Sequence, residues 1–401
     1  MKELLSTGRV VYVQISDELT STDTRCREYY DLVYDTWFDT KPPRHFMEIP
    51  TWIPICDGRI SPIYERQVYV VANLKQAIEY FNGMPDAVLL FSVLDINKTV
   101  VQYLVHNVWN TCLVGGYITG ADRERLEREP NVYWLSHPDE LKIYLRPAKI
   151  DSPNYALFSG IRTFPRITLS EGCLHNCAFC SIPRKLVERH PVDILTQANT
   201  LLPLDFDYIY VDDKTFGQAD NYTILLDVWN FITMHKPGFK GFIVQTTVPV
   251  ATKLLKAGEI EKLHIAALEV GVEIPNDDYL RKMRKPYNLK QLNALHDELR
   301  FHPGLIFIPN IIFGAPGDNY ADTLTYLSAK SDTITFVNPY VLTLYGTAKG
   351  DMGITSESSR YDVDETTVVK SWLSLEEQEL TKAVLDWCLR KYEHKAYLVR
   401  S

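Results

Sequence analysis

Two rhythms of apolar residues divide this chain. Between residues 160 and 350, short β-rich runs alternate with helix-period segments. Runs at 166–169, 208–211, 242–245, 265–272, 305–313 and 333–342 read as strands, and 192–201, 222–235 and 289–300 as helices. Buried, near-continuously apolar strands joined by helices imply a parallel sheet. Six βα-type units are therefore expected. Over the first 150 residues, strand-like runs at 10–15, 67–71, 87–93, 111–118 and 132–135 alternate with helical patterns at 74–81, 98–108, 121–128 and 138–144. That half reads as an open, doubly wound, Rossmann-like α/β domain. The segment 146–158, with Pro147 and Pro153, reads as a linker. Near the C-terminus, Ser374-x-x-Glu377 is a capping box that opens a helix, with Leu380, Val384, Cys388 and Tyr392 on one face. The expected organisation is thus 1–150, 160–350 and a helical extension over 351–401.

Composition narrows the class only modestly. With 401 residues, 46% hydrophobic and 23% charged, the chain has room for two full cores. Its net charge of −9 advertises no basic field for nucleic acid, although a local basic groove or a nucleotide substrate stays open. No run reaches 18 apolar residues, so no membrane span is expected. The opening Met1-Lys2-Glu3-Leu4-Leu5 lacks the apolar run of a signal peptide. Seven cysteines, three of them in one loop, argue against a disulfide framework, and the expected location is the reducing cytoplasm.

That loop changes the picture most. Cys173, Cys177 and Cys180 stand at C-x3-C-x2-C spacing. Three thiolates leave a cubane iron–sulfur cluster one ligand short, whereas electron-transfer clusters usually have four cysteines. The bland alternatives are a zinc site, which normally takes four protein ligands, or three unrelated thiols.

The run from Ile167 to Cys180, including Phe179 before the third cysteine, resembles the signature loop of the radical S-adenosylmethionine (SAM) superfamily. The resemblance implies a [4Fe–4S] cluster on Cys173, Cys177 and Cys180. Its open iron would chelate SAM and cleave it reductively to a 5′-deoxyadenosyl radical. It also implies a partial (βα)6 TIM-type barrel, with function at the C-terminal strand ends. The strand ends carry matching segments. Asp212 and Asp213 resemble the segment that meets the SAM amine, although Asp213 could equally cap a helix. Leu268-Glu269-Val270-Gly271-Val272-Glu273, trailed by Leu280-Arg281-Lys282-Met283-Arg284-Lys285, resembles the family's Gly-x-Glu stretch. Asn310 through Gly314, Pro316, Gly317 and Asp318 resemble its glycine–proline–glycine–acid turn, and Gly346-Thr347 its last strand's tail. Arg184 and Arg189 are candidates for the SAM carboxylate. Otherwise they lie on a solvated helix face, Arg184 paired with Glu188. An electron donor of flavodoxin or ferredoxin type is implied, and a small molecule or biosynthetic intermediate as substrate.

A second resemblance lies in the first domain. Ser92-Val93-Leu94 after one strand and Gly115-Gly116 after the next look like the Ser-x-Leu and Gly-Gly elements that line the nucleotide-tail pocket of cobalamin-binding domains. The Asp-x-His-x-x-Gly lower-ligand motif is absent, and no His lies in 16–25. Possible cobalamin contacts are therefore Ser92, Leu94, Gly115 and Gly116. A bulky side chain at either glycine is expected to block the tail while leaving the sheet folded. Cys26, Cys56 and Cys112 raise the alternative of a second cluster, as in methylthiotransferases that modify RNA or protein. The expected function is radical SAM chemistry, as cobalamin-dependent methylation or radical rearrangement. The alternatives are methylthiotransferase-like modification and a non-catalytic iron–sulfur sensor.

Overall fold

The computed structural model describes residues 7–20, 24–39, 50–94, 96–118, 120–149, 152–180, 184–315, 317–342 and 373–400, with Leu5 and Ile182. Pro316, the Gly346-Thr347 tail and 351–372 of the expected extension lie outside these residues. Five parallel strands, β1 (Arg9–Ile15), β2 (Glu65–Val71), β3 (Val88–Leu94), β4 (Cys112–Tyr117) and β5 (Val132–Leu135), form one sheet in the order β2-β1-β3-β4-β5. This is the flavodoxin-like order of a doubly wound domain. Along β1, Val10 and Tyr12 enter one core, and Val11, Val13 and Ile15 the other. Burial on both faces is why Val10 to Val13 form a continuous apolar run.

The second sheet is also parallel. It comprises β6 (Arg166–Ile167), β9 (Tyr208–Val211), β10 (Gly241–Thr246), β11 (Ile265–Glu273), β12 (Ile306–Phe313) and β13 (Asn338–Val341), in the order β13-β12-β11-β10-β9-β6. It curls into an incomplete barrel, as expected. Between its first two strands lie β7 (Ser170–Glu171) and β8 (Val187–Glu188), paired antiparallel. The helix face expected over 184–189 is therefore replaced by a strand. Glu188 does not serve Arg184; its Oε1 accepts from the Asp220 N–H at 2.9 Å. The i,i+4 pairing of charges needs a helix, and pairing with β7 forbids one here.

Two helices that periodicity did not reveal organise the molecule. The helix Thr24–Phe38 packs on the second sheet. Its Tyr34 ring meets Phe164 (5.4 Å) and Phe336 (5.9 Å), just ahead of the edge strands β6 and β13. Tyr29 Oη donates to Val337 O (2.9 Å) and accepts from Val337 N (3.1 Å). The helix thus bridges the opening of the barrel, where edge strands need cover. The C-terminal helix Leu375–Arg400 lies against it, tied by Arg25 to Glu393 and Asp386. The capping box forms: Glu377 N donates to Ser374 Oγ (3.2 Å) and Ser374 N to Glu377 Oε2 (2.7 Å). The short helix Trp52–Arg59 runs between the two sheets. Gly58 lets it press on the linker, since a Cβ there would lie 1.7 Å from Ser152 O. No helix among the described residues is long and apolar enough to cross a membrane.

One buried group gives the fold a pH signature. His296 is fully buried, with Nδ1 2.6 Å from Thr333 Oγ1 and Nε2 2.8 Å from Tyr326 Oη. Burial, helped by nearby Lys330, brings its pKa from 6.5 down to about 3. Between those values the unfolded chain binds a proton that the folded chain refuses. This group's contribution should therefore fall as pH falls through that window, approaching about 1.4 kcal/mol per pH unit. Urea unfolding at pH 7 and pH 5 should show a shallower pH dependence in His296→Gln than in the parent. Equal slopes would remove His296 as the cause.

Candidate functional site

The cysteine loop leaves the C-terminal end of the first barrel strand and is anchored at its base by one carboxylate. Asp213, just past β9, is 3% exposed. Its Oδ1 accepts from Leu169 N (2.8 Å) and Ser170 N (3.0 Å), and its Oδ2 from Ser170 Oγ (2.6 Å). Burial pushes this carboxyl upward and the Ser170 and Leu169 bonds pull it back, leaving a net rise. The Asp213 expected at the SAM amine is thus bonded to the base of the loop. Leu174 N donates to Gln218 Oε1 (3.1 Å), Cys173 Sγ lies 3.4 Å from Thr215 Oγ1, and Ala178 N donates to Met283 O (2.9 Å). Segments after β9 and β11 therefore hold the loop from two sides.

Cys173 and Cys177 are partly buried and Cys180 is exposed. Among the described residues, no three His, Cys, Asp or Glu side chains converge as a single ion would require. A zinc ion gathers its thiolates at about 2.3 Å from one centre. A cubane makes no such demand, because each cysteine binds a different iron. The His175 Nε2, inside the loop, is buried without a hydrogen-bond partner. Burial, with Lys285 nearby, holds this ring's pKa below the ordinary histidine value. A short loop of three thiols enclosing an unsatisfied polar atom fits a polynuclear cluster.

Beside the loop lies a buried ion pair. Lys285 Nζ donates to Glu273 Oε1 at 2.9 Å, with side chains 5% and 10% exposed. Burial opposes the Lys285 charge, but Glu273 and Cys177 outweigh it and hold the ammonium above the usual lysine range. The ammonium sits 5.8 Å from the ring centres of both Phe179 and Tyr287. Glu273 adopts φ 62° at an irregular end of β11, where Tyr287 Oη donates to Gly271 O (3.0 Å) and Val272 O (2.7 Å). Phe179 packs with Ile274, Met283, Ile312, Ala315 and Leu342. Asn310 is buried on β12, and its Oδ1 accepts from Asn338 Nδ2 (3.1 Å). Gly314 (φ 79°) and Gly317 (φ 73°) form the turn after β12, with Gly314 N donating to Tyr320 Oη (3.0 Å).

A second polar group inside the barrel was not singled out from sequence. Tyr210 Oη donates to Glu269 Oε2 (2.9 Å) and lies 3.3 Å from Gln245 Oε1. The Arg166 guanidinium stands 4.6 Å from the Tyr210 ring centre and pairs with Asp212 at 2.8 Å. Lys214 shares that carboxylate at 3.1 Å. The available signal was Glu269 itself, a carboxylate within an otherwise apolar buried strand.

Two adjoining cavities connect the halves of the molecule. One, of about 310 Å³, opens at the ends of β3, β4 and β5 among Ser92, Gly115, Gly116, Leu113, Leu135 and Trp52. Leu94 does not line it and is 43% exposed. The second, of about 740 Å³, lies between the helix Trp52–Arg59 and the barrel, bordered by Glu171 and Gly172 of the cysteine loop. Thr51, Ile55 and Tyr117 line both. The two glycines are not free positions. A Cβ on Gly116 would fall 1.9 Å from Val93 O, and one on Gly115 3.0 Å from Leu135 O. A bulky residue at Gly116 would therefore force β4 from β3, contrary to the expectation of an intact sheet.

Comparison with known proteins places this geometry. No family model matches the chain. The ribosomal protein uS12 methylthiotransferase RimO of Campylobacter fetus is 27% identical over 167 residues, 38% of this chain and 37% of RimO. The threonylcarbamoyladenosine tRNA methylthiotransferase MtaB of Bacillus subtilis is 24% identical over 243 residues, 56% of this chain and 50% of MtaB. The matched stretches thus span half or less of these relatives. Among solved structures, the cobalamin-dependent S-adenosylmethionine radical enzyme OxsB, with aqua-cobalamin bound, superposes with a TM-score of 0.51. That match covers 86% of this chain and 55% of OxsB at 13% identity. The chain is thus similar in sequence to radical SAM methylthiotransferases and in fold to a radical SAM enzyme. Its barrel half follows a doubly wound domain, and the α/β fold class matches the expectation. The three N-terminal cysteines are scattered. Cys112 is fully buried at the start of β4, Cys56 lies in the helix Trp52–Arg59, and Cys26 lies in the helix Thr24–Phe38.

Proposed function

We propose that this protein is a radical SAM enzyme that uses cobalamin in the space between its two sheets, for methyl transfer to an unreactive centre or radical rearrangement. The observation that carries the reading is the continuity of the two cavities. A pocket sized for a nucleotide base opens beside Ser92, Gly115 and Gly116 and shares walls with a larger chamber at the cysteine loop. Ligands of doubly wound sheets bind outside the carboxyl ends of the strands, and both cavities lie there. Similarity to OxsB, a cobalamin-dependent radical SAM enzyme, supports the same arrangement.

Cys173, Cys177 and Cys180 would hold a [4Fe–4S] cluster, and Asp213 would fix the base of their loop. Phe179, Glu273, Asn310 and the Gly314 and Gly317 turn would border SAM, with Pro316 completing that turn in sequence. Asp212, already between two cations, would face the chamber rather than act as a lone acceptor. When bound, the cluster and SAM supply a radical, while the protein excludes water and sets which substrate carbon lies nearest. The working units are 1–150, 160–350 and the 351–401 extension, served by a flavodoxin- or ferredoxin-type donor.

The sequence matches to RimO and MtaB favour a second reading, a methylthiotransferase-like modifier of protein or RNA. The scattered Cys26, Cys56 and Cys112 favour the first. Anaerobic reconstitution with SAM and reductant tests both readings. 5′-Deoxyadenosine should form, with S-adenosylhomocysteine if methyl donation occurs. The Cys173→Ala/Cys177→Ala/Cys180→Ala variant should lose about four irons and its reduced-state EPR signal. A variant that keeps the same iron and signal would put the cluster elsewhere. No SAM binding at all would leave only the sensor alternative.

A further inference from the structure

The larger cavity carries a charge opposite to that of the chain. The whole protein is at −9. The cavity is lined by five cations, Arg59, Arg166, Lys185, Arg189 and Lys214, against two carboxylates, Glu171 and Asp212. Both carboxylates are engaged. Asp212 is shared by Arg166 and Lys214, and Glu171 pairs with Arg189. Arg59 turns to Asp139, outside the lining, at 2.8 Å. Lys185 makes no ion pair among the described residues. The Arg189 Nε–H is buried without a hydrogen-bond partner. A buried donor left unpaired is costly, and native structures usually satisfy it.

Four of the five cations stand on one side. Arg166, Lys185, Arg189 and Lys214 all come from the barrel and its cysteine loop. On the facing side Thr51, Ile55, Tyr117, Pro153 and Tyr155 carry none, and the cation there, Arg59, is paired with Asp139. A wall whose one cation is already paired suits a corrin edge, whose side chains are amides. The opposite wall needs an anion.

We infer that the barrel wall of this cavity binds an anionic oxygen group of the substrate, a phosphate or a carboxylate, and holds it beside the cysteine loop. The inference rests on the proposed function, in which this cavity is the reaction chamber. The cations then select the substrate class and fix one end of it. Chemistry is left to the other end, toward the strand termini. Several cations converging on one anion give charge-assisted hydrogen bonds, which are stronger than neutral ones.

The test is isothermal titration of the anaerobically reconstituted full chain with inorganic phosphate and, separately, with succinate, at low ionic strength. A parallel SAM titration of the same sample follows the cluster signal. One saturable anion site per chain is expected, weakened by added salt. Lys185→Gln and Lys214→Gln should each reduce affinity by about tenfold, the scale of one charge-assisted hydrogen bond. Lys253→Gln, on the helix Val248–Lys256 away from the cavity, should not change it. Binding of phosphate alone or of succinate alone supports the inference and names the source. No binding of either anion, or unchanged affinity in the double variant Lys185→Gln/Lys214→Gln, overturns it. Failure of the SAM titration with anion binding intact would instead count against the radical SAM reading.

Discussion

Lys285→Met should lower the stability of the folded chain by about 3–5 kcal/mol, the usual consequence of removing one member of a buried ion pair. Glu273 would then be left with its side chain 10% exposed and its cationic partner gone. Desolvation of a lone carboxylate is the dominant penalty. The double variant Lys285→Met/Glu273→Leu should recover most of the loss, because it removes both charges and fills the space with apolar atoms. Urea unfolding of the cluster-free chain measures both, with m-values confirming that the unfolded state is unchanged. A single variant as stable as the parent would mean that the Lys285–Glu273 pair does not stabilise the fold. The pair matters for function because it braces the cysteine loop on one side and the end of β11 on the other.

Asp213→Ala should have the next largest effect. Three donors, Leu169 N, Ser170 N and Ser170 Oγ, would lose their acceptor inside the protein. With about 1–3 kcal/mol for each buried group left unsatisfied, a loss of at least about 3 kcal/mol is expected. Iron retention should fall in parallel, since the loop's base is released. Ser170→Ala removes one of the three bonds and should fall between the two. This series separates two roles for Asp213. A SAM contact would lose SAM affinity with stability and iron loading intact; a loop anchor loses stability and iron together.

Much of this architecture could be read from the chain. Each of the eleven expected strands overlaps its apolar run, because most positions in both sheets are buried and admit few polar residues; the pair β7 and β8 was not expected. The cysteine spacing gave the loop, and its place after β6 followed from the parallel pattern. Three things stayed hidden, each for a physical reason. The helix Trp52–Arg59 contains Pro54 and Gly58 and buries Ile53, Cys56 and Asp57 between two bodies, so it shows no amphipathic period. The helix Thr24–Phe38 uses aromatic residues to close the barrel opening, and its partners Phe164 and Phe336 are remote in sequence. Partner choice within the site was equally invisible. Motif position gave Asp213, Asp212 and Glu273 as strand-end carboxylates. Only the folded geometry shows one bonded to the loop, one shared by two cations and one paired with Lys285. Leu94 and Ser92 lie two residues apart on one strand, yet only Ser92 borders the pocket.

Metal stoichiometry tests the central claim most directly. The full chain, reconstituted anaerobically with iron and sulfide in the presence of hydroxocobalamin and then desalted, should carry about four irons and one cobalt per chain. Its visible spectrum should be that of cobalamin without a protein histidine beneath the metal. About eight irons with no cobalt would contradict the account and give the chain to the methylthiotransferase reading.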